Sequence, residues 1–398
     1  DEKVMKLRKL RSDMKLRGKR VIVRIDANVP IKNGRAVDGP HGRIARSAVH
    51  LDWLLQRGAR VIVLTHLGRP NGRRSTSLSL KPVAKRLSGL LRFKVRTTRK
   101  VVGPEVTQAV GRLKDGELLL LENVRFDRRE RENDPVFAEE LAALGDLYVN
   151  DAFSVCHRAH ASIDAITKFL PSYAGPLVIA EENGLSKLDQ NVKRPFVLIM
   201  GGLKMETKLP VIQRFYNEVD HVLIAGALST TFFSALGHEV GRSAHDDHLI
   251  DLATKELELM KEKLLLPGDV VVSKSLRKDA RHHVLLREQV SKSDRIVDIG
   301  PRTVQHYISL IREAKTIVWN GPIGYCEVPA FCKATEAIAR AIADRTGKAT
   351  TIVGGGDTGP VLESLGIADK FTHLSTGGGA MLEFMAGKKL PGLEALKQ

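Results

Sequence analysis

The strongest constraint on the fold is an alternation that runs the length of the chain. Short β-branched runs are separated by stretches long enough for a helix, the pattern of parallel βαβ units. VIVRI (21–25), VIVLT (61–65), LLLL (118–121) and LYV (147–149) fill the first half. The series restarts with FVLIM (196–200), VLI (222–224), VVV (270–272), TIVW (316–319), TIV (351–353) and THL (372–374). At 398 residues the chain exceeds the usual single-domain size, so two domains are expected. Between the series, LVIAEENGLSKLDQNVKRP carries Leu185 and Leu188 at helical spacing and runs to Pro195. The expectation is an α/β protein of two doubly wound parallel-sheet domains, 1–173 and 195–379, joined by a connecting helix within 174–194.

Several classes fall away early. There is no run of roughly 18 uninterrupted apolar residues, so no membrane-spanning helix is expected. The first twenty residues, DEKVMKLRKLRSDMKLRGKR, lack the apolar core of a signal peptide and include acids that a transit sequence avoids. Cys156, Cys326 and Cys332 are too few for a disulfide framework and show no zinc-ligand pairing, which fits a reducing cytoplasm. The formal charge of +17 could mark a nucleic-acid binder, a solvated basic surface or a cleft for small polyanions. The basic residues are spread through the chain without RNP-like or zinc-finger motifs, so no specific nucleic-acid partner is expected.

Open parallel sheets bind ligands beyond the carboxyl ends of their strands, and here those ends differ between the halves. In the first half they carry charge and hydrogen-bond donors. Arg24, Asp26 and Asn28 close the first run, His66 and Arg69 follow the second, and Arg125 follows the third. His157 and Arg158 come shortly after the fourth. Guanidinium groups converging at one sheet edge would hold phosphate or carboxylate by bidentate hydrogen bonds. In the second half the ends are glycine-rich: MGGLK, IAGA, NGPIG, VGGGDT and STGGGA. Glycine lets a backbone approach closely, and exposed N–H groups cradle phosphates.

Gly354, Gly356 and Gly359 satisfy G-x-G-x-x-G. A dinucleotide fingerprint, however, belongs near the first strand of its domain, with an acid ending the next strand. Here the next strand runs into Ser375 and Thr376. No Walker A spacing occurs either. Phosphoryl transfer still needs cations, a metal ligand and backbone donors. Lys204 and Lys208, four apart in GGLKMETKLP, would share a helical face beside a glycine turn. Asp357, after three glycines, could hold Mg²⁺ at nucleotide phosphates. Taken singly, the lysines could be an exposed pair and Asp357 a helix N-cap.

VRIDANVP, THLGRPNG, LLENVRF, DAFSVCHRAHAS, IMGGLKMETK, IVWNGPIGYCE, VGGGDT and STGGGAMLE together resemble the signature segments of the phosphoglycerate kinase family. They occur in that family's order from about residue 19 onward. The resemblance implies Mg²⁺-dependent phosphoryl transfer between 1,3-bisphosphoglycerate and ADP by a cytoplasmic monomer that acts on small molecules and not on membranes. By motif match, Asp26, Asn28, His66, Arg69, Arg125 and Arg158 would bind 3-phosphoglycerate. Arg43, in HGRIARS, would face the transferring phosphoryl together with Lys204 and Gly356. Lys208, Gly226, Asn320 and Glu327 would bind the nucleotide, the last two near its ribose. Gly355, Gly356, Asp357 and Thr358 would form the phosphate loop, with Asp357 as metal ligand. Residues 380–398 would return to the first domain, and the hinge for domain closure would lie at 174–194 and near Ser375 to Gly379.

The departures from that pattern concentrate on the nucleotide half. Leu203 and Thr207 stand where the family usually has alanine and aspartate, Ile296 where a glycine lines the nucleotide pocket, Tyr325 and Cys326 for valine and phenylalanine, and Gly359 for alanine. The substrate half departs mainly at Ala27 and in the SVC before His157. The alternative to a standard kinase is therefore a diverged member with altered nucleotide use or a mainly binding or regulatory role. His245 to His248, HDDH, invites a metal reading, but consecutive residues diverge around a helix. Ser243 is instead expected to cap a helix whose first turn carries the acids.

Overall fold

A computed structural model of the chain describes residues 6–189, 192–260 and 262–398. The chain divides into two compact units, Asp1–Asn183 with Lys389–Gln398, and Gly184–Lys388.

The first unit holds β1 (Arg20–Ile25), β2 (Ile31–Lys32), β3 (Arg35–Ala36), β4 (Arg60–Leu64), β5 (Arg96–Thr97), β6 (Leu118–Leu120), β7 (Leu147–Asp151) and β8 (Ser172–Ala174). Six of these form one sheet in the order β5-β6-β4-β1-β7-β8, parallel throughout. Val21 sits opposite Val61 on one side and Leu147 on the other, which fixes the central register. Successive side chains point to opposite faces, and both faces are covered. Val21, Val23 and Ile25 pack with Ile44, Leu51 and Leu54 of the helix Arg43–Gln56, whereas Ile22 packs with Val106, Phe137 and Tyr148. That double burial explains why the runs are continuously apolar rather than alternating. Truncating Ile22 to alanine in this two-sided core would cost about 2–5 kcal/mol.

The second unit holds β9 (Phe196–Met200), β10 (His221–Ile224), β11 (Leu264–Leu265), β12 (Asp269–Ser273), β13 (His282–Leu286), β14 (Arg295–Ile299), β15 (Thr316–Asn320), β16 (Thr350–Gly354) and β17 (His373–Ser375). Its main sheet runs β11-β10-β9-β15-β16-β17 and is again parallel. Trp319 on β15 is fully buried between this sheet and its helices, and its indole N–H donates to Gly321 O at 2.8 Å.

One expected parallel strand is corrected. VVV 270–272 does not enter the main sheet; β12 is the centre of a separate antiparallel sheet, β13-β12-β14. Its partner β13 is solvent-facing along its length, so it offers no apolar period by which to be found. The linking segment begins as a helix, Pro176–Leu185, and tightens to a 3₁₀ turn at Ser186–Leu188. Positions 190 and 191 of the expected connecting helix lie outside the described residues. The C-terminal ten residues return to the first unit, while the helix Gly379–Met385 stays with the second. Leu7 pairs with Lys397, and Arg8 N donates to Leu396 O at 2.8 Å. Among the described residues, no helix is long and apolar enough to cross a membrane.

Candidate functional site

In the first unit, the strand-end residues are held in place by one another. Asn28 Oδ1 accepts the Gly68 N–H at 2.9 Å, tying the end of β1 to the loop after β4. Arg43 is the first residue of its helix and reaches back to β1, donating to Asn28 O at 3.0 Å and pairing with Asp26 Oδ2 at 3.0 Å. Asp26 also accepts the Asn28 N–H and the Ser154 hydroxyl. Arg125 donates to Gly68 O at 2.8 Å and keeps a buried Nε without a partner. Burial above all, then the neighbouring Arg24, lowers the Arg125 pKa to about 10. Arg69 and Arg158 are exposed; Arg158 Nε donates to His157 Nε2 at 3.1 Å.

His66 is 2% exposed, and its Nδ1 lies 3.0 Å from Arg24 Nη2. A guanidinium only donates, so Nδ1 must accept and the ring proton resides on Nε2. Burial, then Arg24, Arg125 and Arg43, hold the imidazole pKa well below its ordinary value. His66 is thus a neutral ring presenting one N–H donor, unsuited to carry a charge and suited to hydrogen-bond an anion.

Arg24 itself is wholly buried and donates to Ser162 Oγ at 2.9 Å and to Ile25 O at 2.5 Å. Ser162 donates in turn to Glu130 Oε1 at 2.7 Å. This buried Glu130–Ser162–Arg24 relay supports His66 from behind. Sequence reasoning missed Glu130 and Ser162, because partners 32 positions apart in turns leave no periodic signal. His160 closes the same region; burial first, then Arg125 and Arg24, lower its pKa to about 3.

In the second unit, the glycines make the approach that the sequence suggested. Gly226 has φ +62°, and a Cβ there would stand 2.6 Å from Gly202 N. Gly321, with φ +86°, would put a Cβ 2.5 Å from Gly201 O. Three strand ends, β9, β10 and β15, are thereby packed backbone to backbone. Lys208 lies over this turn: a Cβ on Gly202 would be 3.5 Å from its Nζ. It is 6% exposed, and burial above all, then Lys204, lowers its pKa to about 8, opposed by Asp357 and Asp246. A largely buried lysine facing a glycine turn, with no ion pair among the described residues, is a poor structural element and a good anion site. The shared helical face is corrected, because Lys204 is the N-cap of the helix Met205–Phe215 and lies outside it. Its exposed side chain still comes near enough to influence Lys208.

Asp357 precedes the helix Thr358–Ser364, but its carboxylate makes no cap hydrogen bond and is exposed. The ordinary capping role is therefore unfilled. Gly355 has φ +126°, Gly356 is exposed, and Thr358 is fully buried with an unpartnered Oγ1. Asn320 is buried, with its amide 3.9 Å from Met381 Sδ, and Glu327 is exposed on the following loop.

Two further sequence expectations change. Cys326 and Cys332 are joined in a disulfide, leaving Cys156 as the free, buried thiol. Ser243 caps no helix; its hydroxyl accepts the Ile296 N–H at 2.8 Å, and the helix Ile250–Leu259 starts later from Leu249. His245 pairs with Asp247 at 2.8 Å, and among the described residues no group of three acids, histidines or cysteines could hold a metal alone.

One parallel unit ending in anchored guanidinium groups, and one ending in glycine turns around a buried lysine, define an α/β phosphotransferase for a small anionic substrate and a nucleotide. The phosphoglycerate kinase family profile matches residues 11–388. The chain is 45% identical over 388 residues to the phosphoglycerate kinase of Dictyoglomus turgidum, covering 97% of each. It is 45% identical over 389 residues to that of Moorella thermoacetica, covering 97% of this chain and 98% of the relative. Among solved structures, the phosphoglycerate kinase of Coxiella burnetii matches with a TM-score of 0.78 at 38% identity over 97% of both chains. That of Pyrococcus horikoshii matches with a TM-score of 0.87 at 29% identity over 98% of both. This chain belongs to the phosphoglycerate kinase family.

Proposed function

We infer that the chain catalyses reversible phosphoryl transfer between 1,3-bisphosphoglycerate and ADP, giving 3-phosphoglycerate and ATP. The observation that carries the residue assignments is the prior anchoring of the donors in the first unit: Arg43 on Asn28 O and Asp26, His66 on Arg24, and Arg125 on Gly68 O. These groups, with Asn28 and the exposed Arg69 and Arg158, bind the carboxylate and phosphate of 3-phosphoglycerate. Asp26 acts by orienting Arg43. Lys208, Gly226 and the loop Gly355 to Thr358 bind nucleotide phosphates and their surroundings, and Asn320 and Glu327 border the nucleoside.

In the ATP-forming direction an ADP phosphate oxygen attacks phosphorus and the departing group is a carboxylate. Neither needs a proton moved near neutral pH, so no general base is required. His66 accordingly donates from Nε2 and does not titrate. Rate enhancement comes from alignment and from charge placed by Arg43, Lys204 and the N–H of Gly356 on the moving phosphoryl. A magnesium ion fits the donor set. The single uncommitted carboxylate of Asp357 beside a phosphate loop is the usual provision for Mg²⁺, which takes its other ligands from phosphates and water. When bound there it would neutralise nucleotide phosphate charge. The protein acts as a cytoplasmic monomer on small molecules, without a nucleic-acid or membrane partner.

A coupled assay with 3-phosphoglycerate, MgATP and a bisphosphoglycerate reductase tests the reading. Turnover is the expected result. Retained 3-phosphoglycerate binding without turnover would favour a binding relative, and the exposed Leu203 and half-buried Ile296 make nucleotide choice the property to vary in that assay.

A further inference from the structure

We propose that Cys326 and Cys332 form a thiol–disulfide modification site, reduced by a dithiol, whose state sets nucleotide affinity. The proposal rests on the reading above that Asn320 and Glu327 border the nucleotide.

The bond closes a short ring with Glu327 inside it, six positions separating the cysteines. The ring lies on the loop that leaves the end of β15, with three residues separating it from Pro322. Thr335 ties it to the neighbouring helix. Its hydroxyl oxygen accepts the N–H groups of Ile323 and Gly324 at 3.0 and 3.1 Å and lies 3.3 Å from Cys326 Sγ. The sulfur and the turn after β15 thus share one anchor. The Val328 N–H reaches back out of the ring to Tyr325 O, and inside it the Phe331 N–H donates to Val328 O. Glu327 itself is exposed, so the covalent closure limits where its carboxylate can go.

The two sulfurs are unequal. Cys326 is half-buried and follows the exposed Tyr325, whereas Cys332 is 4% exposed. Cys332 is also the N-cap residue of the helix Lys333–Ala343 and makes no side-chain cap hydrogen bond. A helix N-terminus favours a thiolate over a thiol, and a stabilised thiolate leaves faster in exchange. Attack is therefore directed. A thiolate of the dithiol bonds to Cys326 Sγ, the Cys326–Cys332 bond breaks, and its electron pair departs on Cys332 Sγ. The second thiol of the reagent, deprotonated, then attacks the reagent's own sulfur in the mixed disulfide and releases Cys326 Sγ. The reagent leaves oxidised as an intramolecular disulfide, and the two protons it gave up end on the two cysteines.

Opening the ring frees the Glu327 segment, so nucleotide binding must then order it. Ordering a freed side chain and its loop typically weakens binding about three- to tenfold. Disulfides held in reducing compartments are mostly catalytic or redox-sensing, and nothing in the phosphoryl-transfer chemistry requires this one.

The test uses the full chain equilibrated anaerobically with either oxidised or reduced dithiothreitol. Thiols are counted by iodoacetamide labelling and mass measurement after denaturation. ADP affinity is read by calorimetry, and both Michaelis constants by the coupled assay. Expected are one thiol in the oxidised form and three in the reduced form, matching the single free and two bonded cysteines. The nucleotide Kd and KM should rise about three- to tenfold on reduction, with the KM for 3-phosphoglycerate unchanged. Cys326→Ser and Cys332→Ser should each behave as the reduced form with or without dithiothreitol. Three thiols after equilibration with the oxidised reagent, or one thiol with equal ADP affinity in both forms, would overturn the proposal. If a serine variant fails to fold, the two forms of the unaltered chain still decide it. Absence of turnover in both forms would count against the kinase reading, while the ADP calorimetry would still report on the ring.

Discussion

Nucleotide affinity should fall steeply on the alkaline side of neutrality, and Lys208 sets the magnitude. Its ammonium is buried over the Gly202 turn and its pKa is lowered from 10.5 to about 8, chiefly by burial. Only the charged form offers a cation to a phosphate. With that pKa the ammonium fraction drops from roughly three-quarters at about pH 7.5 to roughly one-tenth at about pH 9. An affinity divided by the competent fraction therefore weakens about eightfold across that interval. The sign follows from the direction of the shift, since the free protein loses the proton early and a bound phosphate must restore it. Calorimetry of ADP binding over this range reads the effect twice. Kd should rise about eightfold, and proton uptake on binding should approach one at the upper end, measured in buffers of different ionisation enthalpy. Lys208→Met should bind weakly with a flat profile, and Lys208→Arg should also be flat, because a guanidinium stays charged throughout. The reasoning is refuted if the unaltered chain is flat, or if Lys208→Met keeps the same slope.

Arg43→Ala should lower kcat about 10²–10³-fold with a much smaller change in 3-phosphoglycerate affinity; steady-state rates within a few-fold of the parent would remove Arg43 from the moving phosphoryl. Asp357→Asn should raise the Mg²⁺ concentration needed for half-maximal rate, since an amide is a poorer ligand for a hard cation, and an unchanged Mg²⁺ titration would dismiss the metal role. Gly226→Ala places a Cβ 2.6 Å from Gly202 N at a φ of +62°. The left-handed backbone alone costs about 1–2 kcal/mol, so a lower melting temperature is expected together with weaker ADP binding, and an unshifted melt would contradict the close approach. Thr207→Asp should alter nucleotide affinity and leave 3-phosphoglycerate affinity unchanged, because the Thr207 hydroxyl is bonded to Lys204 O beside the lysine pair; the reverse selectivity in two titrations would argue against separate half-sites.

The parallel cores were legible because strands buried on both faces must be apolar at every position, as Val21 to Ile25 and Phe196 to Met200 are. The strand ends were legible because Arg, His and Gly interrupt those runs abruptly. What resisted reading depends on contacts between distant turns. Val270 to Val272 resembles any core strand, and its antiparallel pairing with the exposed His282–Leu286 on one side and Arg295–Ile299 on the other is what takes it out of the main sheet. Lys204 and Lys208 have helical spacing, yet the helix begins only after Lys204. The relay from Glu130 through Ser162 to Arg24 joins three segments that share no pattern. Ser243 looks like a cap beside acids, and its hydroxyl is instead taken by the Ile296 N–H from across the fold. The cysteine pair shows the limit of counting: two residues make no framework, but Cys326 and Cys332 meet because the 3₁₀ turn Pro329–Phe331 folds the segment back.

The pairing of residues 6–8 with residues 395–398 bears on how the chain is made. Arg8 bonds to Ala395 O and Leu396 O, and the Gln398 N–H to Lys6 O. Leu390, Leu393 and Leu396 are buried, and the Gly392 N–H reaches Cys156 O at 2.9 Å. During synthesis the second unit has all its strands once residue 375 emerges from the ribosome, whereas the first, begun earlier, must wait for residues 389–398 to close its core. Domains generally fold in the order they are made; here the order of completion is inverted. The first unit, lacking only its last ten residues, therefore spends the translation time of more than two hundred later residues, from Gly184 to Lys388, with the seat of Leu393 and Leu396 uncovered. Fusing new sequence across that seam, or trimming it, would be felt first in the yield of folded protein and only secondarily in its kinetics.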